Sequence, residues 1–186
     1  MSGVIGRALL AVALPIAAFL GGVGIMSQMS GREQALQRLR ATPAGDEKPL
    51  NQRLQYNAGA VRRHWGLFDD AGLASEQHFL ELDLVFPFLY GGALAASLLL
   101  VWSTLGRPFS PAWIMVPVAV TVVADWTENL VQLTQLRRFA GHAALQGGWI
   151  AVASAATLVK LVFFAVSSVG LVVLVLVMLV RSPRSP

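Results

Sequence analysis

Four long apolar stretches dominate the pattern of the chain, at about residues 8–27, 84–105, 112–136 and 148–180. Each is at least as long as the roughly 20 residues that an α-helix needs to cross the hydrocarbon core of a bilayer. Pro and Gly residues lie between the second and third stretches, where a turn is required. The pattern predicts an all-α integral membrane bundle of four transmembrane helices, which form a single membrane domain over residues 1–186.

The first stretch also resembles the apolar part of a signal peptide, because Arg7 precedes it and no charged residue interrupts it. It is long for that role. Residues 17–24 moreover contain several small side chains, which allow close packing between membrane helices. We therefore predict an uncleaved first span.

The composition agrees with a lipid environment. Hydrophobic residues make up 55% of the chain and charged residues 13%, and the mean hydropathy is +0.62. The net charge of +4 would suggest nucleic-acid binding in a soluble protein, but here Arg residues flank the apolar stretches as interface anchors. The chain has no cysteine, which excludes disulfides, Cys-ligated zinc and iron–sulfur clusters. We expect the lipid bilayer as a partner and no nucleic acid.

Residues 28–82, between the first two stretches, form the one long polar segment. Residues 33–40 are a short helix candidate, and the breaker-rich residues 42–46 follow it. Apolar and aromatic side chains then recur through residues 50–82, a pattern typical of helices that lie along the headgroup surface. We predict an interfacial helical cap anchored by Trp65, Phe68 and Phe79. The alternative is a docking surface for a protein partner.

An even number of spans places both termini and the turn at 106–111 on one side of the membrane, here named side A. Residues 28–82 and the turn at 134–147 then lie on the opposite side, named side B. The basic residues near the span ends are almost evenly divided between the two sides. Because a segment as long as 28–82 can translocate despite its charges, we expect cytoplasmic termini in a multi-pass protein of the bacterial inner membrane.

Ionisable residues within the spans are the main candidates for chemistry. At a rise of ~1.5 Å per residue, Asp83, Asp125, Glu128 and Lys160 all fall in the side-B leaflet or at its boundary. A charge inside a membrane is costly unless it is paired, so we predict an ion pair of Lys160 with Asp125 or Glu128. Spacings of four, three, four and three residues place a polar row on one face of the third helix, formed by Thr121, Asp125, Glu128, Gln132 and Gln135.

Three acids face one lysine in this group, so one carboxyl must be protonated, contact water or meet another cation. Such a surplus suits a proton relay or a site for a polar headgroup, whereas a structural ion pair is the simpler interpretation. The candidate intramembrane polar cluster comprises Asp83, Tyr90, Asp125, Glu128, Asn129 and Lys160.

Catalytic motifs, metal sites and cofactor sites receive little support. No nucleotide-binding glycine pattern, nucleophile elbow or HExxH sequence is present. All three histidines fall in side-B connections, which leaves an intramembrane haem without a ligand. A metal bound by Asp125, Glu128 and either His78 or His142 would lack a recognised ligand spacing. We predict no catalytic residue, no metal and no other cofactor.

Three short motifs occur in order between about residues 56 and 165: D-x-x-F-P-x-x-Y at 83–90, D-x-x-E-N at 125–129 and T-x-x-K at 157–160. In these motifs the chain resembles a group of small bacterial four-span membrane proteins of uncharacterised activity. The resemblance implies a bundle whose polar cluster belongs to the fold, and it implies no particular activity.

Three functional hypotheses follow. The leading one is a non-catalytic accessory or structural subunit of a larger membrane assembly, with protein partners or a homo-oligomer in the membrane. The second is a membrane-embedded enzyme or carrier, either lipid-handling or proton-coupled, that uses the carboxylate and lysine cluster. The third is a lipid-binding protein without chemistry.

Overall fold

The computed structural model describes residues 2–40, 49–50 and 53–181, and these form helices and turns without any strand. Four segments are long and apolar enough to cross a membrane: Gly3–Ser30, Asp70–Thr104, Ala112–Ala140 and Gly147–Arg181. The prediction of an all-α, four-span bundle is confirmed. The helices are α1 (Ser2–Ser30), α2 (Arg32–Arg40), α3 (Ala58–Trp65), α4 (Asp70–Leu82), α5 (Phe86–Thr104), α6 (Ala112–Ala140) and α7 (Gly147–Arg181).

Local sequence explains where several helices begin and end. Pro87 lies in the first turn of α5. A backbone N–H at that position has no intrahelical acceptor, so proline, which has no N–H, costs the helix no hydrogen bond. Gly31 and Gly106 follow α1 and α5 with positive φ angles of 69° and 80°, a conformation that glycine adopts without steric cost. Asn57 and Asp69 cap α3 and α4 by accepting hydrogen bonds from backbone N–H groups of the first turn.

The four long helices pack in antiparallel order. α6 and α7 share the most extensive interface, and α1 rests mainly on α5. The Arg7 guanidinium donates a hydrogen bond to Thr104 Oγ1 at 3.4 Å, which joins the beginning of α1 to the end of α5. An apolar cluster at this end unites all four helices through Ala8, Ala11, Leu94, Leu98, Val101, Val118, Leu171, Val175 and Met178. The beginning of α1, the end of α7 and the turn after α5 therefore lie together at the end named side A.

The side-B end is built differently, because α6 and α7 are longer than a bilayer requires. The 35 residues of α7 span about 52 Å, against a hydrocarbon thickness of ~30 Å. Ile150 and Ala153 at its beginning are fully buried by protein. The extended ends of α6 and α7 share a second apolar core with α3, α4 and the chain before them: Leu50, Tyr56, Val61, Trp65, Leu80, Val131, Leu133, Leu136, Ile150 and Ala153.

The aromatic residues predicted to anchor the segment between the first two spans are largely buried by protein, and the interfacial position of that segment stays a prediction. Trp65 has no exposed surface and Phe79 is 3% exposed, while Phe68 is partly buried against the side-B core. The Trp65 ring contacts Phe139 of α6 at a centroid distance of 5.8 Å. Trp65 and Phe68 thus pack in the side-B core with α6 and α7, whereas Phe79 packs in a separate cluster with Met26, Phe86 and Tyr90. The predicted helix at 33–40 corresponds to α2, and residues 42–46 lie outside the described residues.

A pair of tryptophans tests whether the side-B segment is core or surface. Trp65→Ala removes a fully buried ring and should lower the free energy of unfolding by about 3–5 kcal/mol. Trp113 is 78% exposed at the beginning of α6, so Trp113→Ala should change the free energy of unfolding by only about 0.5 kcal/mol. Unfolding in mixed micelles measures both values. Equal losses in the two variants would contradict a protein core around Trp65.

Candidate functional site

The polar row on α6 faces the interior of the bundle. Thr121, Asp125, Glu128, Gln132 and Gln135 are all buried, with Asp125 the most exposed at 4%. Their spacing returns to the same side of the helix at each turn, as the sequence predicts. Because buried polar groups require partners, the contacts of this row define the candidate site.

Lys160 of α7 contacts two carboxylates of this row at once. Its Nζ lies 2.9 Å from Asp125 Oδ1 and 2.5 Å from Glu128 Oε2. The two acids are one helical turn apart, so both can reach one ammonium group. Lys160 thus lies between the two acids that were predicted as alternative partners, and the ion pairs join α6 to α7.

Asp125 also binds two side chains that the sequence analysis included in the polar cluster. The Tyr90 hydroxyl of α5 donates a hydrogen bond to Asp125 Oδ2 at 2.7 Å. The Asn129 amide donates to Asp125 Oδ1 at 3.3 Å and to the backbone carbonyl of Asp83 at 3.1 Å. Both carboxylate oxygens of Asp125 therefore have partners, and the network connects α5, α6, α7 and the turn after α4.

Glu128 continues the network towards side B. The Gln132 amide donates to Glu128 Oε1 at 3.0 Å and to the Tyr56 hydroxyl oxygen at 2.8 Å. The Tyr56 backbone N–H donates to Ser154 Oγ at 3.0 Å, and the Thr157 hydroxyl lies 3.5 Å from the Tyr56 oxygen. Tyr56 was missed by the sequence analysis. No local pattern in the sequence indicates this role, because Tyr56 reaches Gln132 and Thr157 across 76 and 101 positions of sequence.

The environment of Tyr56 keeps its phenol neutral. Burial and, to a smaller extent, the nearby Glu128 carboxylate, which disfavours a second negative charge, together raise the pKa of Tyr56 to about 12. The group is therefore a neutral hydrogen-bonding partner of Gln132 at physiological pH.

Asp83 joins the cluster in an unexpected way. Its backbone carbonyl accepts the hydrogen bond from Asn129, but its carboxylate makes no hydrogen bond or ion pair with any residue that the structure describes. The residue is only 7% exposed. Lys160 already contacts Asp125 and Glu128, so the surplus acid that the sequence predicts is Asp83.

A cavity of about 350 Å³, named here the central cavity, lies between α1 and the rest of the bundle. Its polar lining residues are Asp83, Tyr90, Asp125 and Lys160 of the polar cluster and Ser27, Arg32 and Glu33. Its apolar wall comes mainly from α1, α5 and α7. The wall residues include Phe19, Val23, Met26, Phe79, Phe86, Leu161 and Phe164.

Arg32, which lines the central cavity, forms a second buried ion pair, which the sequence does not predict. Arg32 donates from Nε to Glu76 Oε2 at 2.6 Å and from Nη2 to Glu76 Oε1 at 3.1 Å. The same guanidinium lies over the Phe79 ring, 3.8 Å from its centroid. The pair spans 44 positions of sequence and joins α2 to α4, so no local pattern could indicate it.

The described residues contain no group of three or more His, Asp or Glu side chains placed to hold a metal ion. Among the histidines, His64 is fully buried in α3 and its ring contacts Phe68 edge to face. His142 lies in the turn after α6.

Comparison of the chain with protein-family models, with curated proteins and with solved structures returns no match. The resemblance carried by the three sequence motifs therefore stays a prediction.

A double-mutant cycle tests the central ion pairs. Lys160→Met strands two buried carboxylates and should destabilise the protein by about 3–5 kcal/mol. Asp125→Asn should cost much less in the Lys160→Met background than in the wild type, because it then removes one of the two carboxylates that Lys160→Met leaves unpaired. Unfolding free energies in mixed micelles provide the cycle.

The exposed pair Glu81 and Arg137, at 2.7 Å, is the matched control. A Glu81→Gln and Arg137→Met cycle should show little coupling, since water screens that pair. Additive effects of the Lys160 and Asp125 changes would mean that the two groups do not interact.

Proposed function

We propose that this protein binds a small amphipathic molecule, which enters the central cavity from the surrounding lipid, and that it does so without catalysing a reaction. The observation that carries the proposal is the central cavity itself. Polar side chains such as Asp83 and Lys160 and apolar side chains such as Phe19 and Phe164 line one space of about 350 Å³. That volume falls in the range of about 300–1,000 Å³ that is typical of small-molecule sites.

The opening of the cavity supports entry from the bilayer. Phe19 and Val23 of α1 are each 37% exposed, and Leu161 of α7 is 38% exposed, although all three line the cavity. These residues belong to the apolar spans, where the solvent is lipid. An amphipathic molecule in the bilayer can therefore place its apolar part along α1 and α7 while its polar part reaches the cluster.

The hydrogen bonding of the cluster favours binding over chemistry. Lys160 is shared by two carboxylates, and both oxygens of Asp125 are occupied. A general acid or base must exchange its proton with a substrate, and these groups would first have to break strong buried contacts. A lipid-handling or proton-coupled role for the same residues is the alternative, and no observed contact favours it over binding.

The role of accessory subunit, which leads among the sequence hypotheses, stays a prediction. Apolar side chains are exposed along α1 and α7, for example Leu9, Leu20 and Val172. Lipid covers such residues as well as another subunit would. This surface therefore does not distinguish a subunit from a protein that acts alone.

Photolabelling tests the proposal directly. The probe is a dodecyl alcohol with a diazirine on its chain, added to the protein in lipid nanodiscs. We expect labels to concentrate on cavity-lining residues such as Val23 and Leu161, relative to the lipid-facing Val123 of α6, because a bound probe stays near the cavity wall. Peptide mass spectrometry locates the labels.

Two adjacent substitutions provide the control. Leu161→Trp should fill the opening and reduce labelling of Val23 several-fold, whereas Val162→Trp, at a lipid-facing neighbour that does not line the cavity, should leave it unchanged. Equal labelling of cavity and lipid-facing positions, or no response to Leu161→Trp, would overturn the proposal.

A further inference from the structure

The Asp83 carboxylate is the starting point for assigning the chemical class of the ligand. Asp83 lines the central cavity and is only 7% exposed. No described residue forms a hydrogen bond or ion pair with its side chain. A buried carboxylate without a partner is unfavourable. A positive group, a proton or water in the cavity would satisfy it.

The cations that line the cavity are already bound to carboxylates. Lys160 contacts Asp125 and Glu128, and Arg32 makes two hydrogen bonds with Glu76. An anionic headgroup would have to displace one of these acids and would also face Asp83. The charges around the cavity thus disfavour an anion and favour a cation.

Aromatic rings supply a second feature that suits a cation. Phe19, Phe86, Tyr90 and Phe164 contact one another with centroid distances between 5.0 and 5.9 Å, and all four line the cavity. Aromatic faces attract ammonium groups, most strongly where water is excluded. The cavity already shows this chemistry once, since the Arg32 guanidinium lies over the Phe79 ring.

We infer that the ligand is a cationic amphiphile, a molecule with an amine or quaternary ammonium headgroup on an apolar chain. Its headgroup lies against the Asp83 carboxylate and the aromatic rings, and its chain follows α1 and α7 to the lipid. This inference rests on the proposed function and adds the charge of the ligand and the residue that recognises it.

The test uses three diazirine probes with the same dodecyl chain and different headgroups: trimethylammonium, hydroxyl and sulfate. Labelling of Val23 is divided by labelling of Val162, which lies outside the cavity, to correct for membrane partitioning. We expect this ratio to be roughly tenfold higher for the ammonium probe than for the hydroxyl probe, and lowest for sulfate. Tetramethylammonium, which has the headgroup without the chain, should compete poorly.

Substitutions identify the recognising residue. Asp83→Asn should remove the preference for ammonium while the hydroxyl probe still labels the cavity. Asp70→Asn is the matched control, because Asp70 is an exposed acid on α4 far along the helix from Asp83, and it should leave the preference intact. Phe19→Leu keeps all charges and should lower the preference, which gives a readout even if Asp83→Asn fails to fold.

The outcomes separate this inference from the proposed function. Equal ratios for the three headgroups, or a preference that survives Asp83→Asn, would overturn the cationic ligand and leave binding of amphiphiles intact. Competition by tetramethylammonium as strong as that by dodecyltrimethylammonium would overturn the inference that the ligand needs an apolar chain. No excess labelling of Val23 by any probe would overturn both.

Discussion

The ion pairs of Lys160 with Asp125 and Glu128 constrain the rest of the structure. The three side chains lie inside the bundle, where an unpaired charge is far more costly than in water, so α6 and α7 must keep the register that holds them together. Tyr90 extends the constraint to α5 through Asp125, and Gln132 extends it to Tyr56 on side B through Glu128. One cation thus organises contacts among four parts of the chain.

The central cavity follows from this arrangement. α5, α6 and α7 are joined through the polar network, whereas α1 contributes no hydrogen bond to it among the described residues and rests mainly on α5. At Gly22 the two helices approach so closely that a Cβ atom would overlap the Phe86 ring, yet Gly24 has open space around it. The close contact at Gly22 seats α1 against α5 beside the central cavity.

The sequence predicts the spans and the main ion pair for physical reasons. Apolar length identifies the helices, and a rise of ~1.5 Å per residue places Lys160 at the depth of Asp125. The burial of Trp65 in a protein core could not be predicted from the sequence. An aromatic residue that lies among headgroups and one that packs on a helix are flanked by the same pattern of apolar and polar residues. The pair of Arg32 with Glu76 and the position of Tyr56 depend on how the side-B segment folds over α6 and α7, which no local spacing encodes.

Solid-state NMR on the protein in lipid bilayers measures the central ion pair most directly. The chain has two lysines, so Lys48→Arg leaves Lys160 as the single ¹⁵Nζ label, and ¹³C is placed in the aspartate side chains. The structure predicts dipolar dephasing from a carboxyl carbon within about 4 Å of Lys160 Nζ, and its loss in Asp125→Asn. A Lys160 signal without dephasing, as for an ammonium group that extends to the headgroups, would contradict the account.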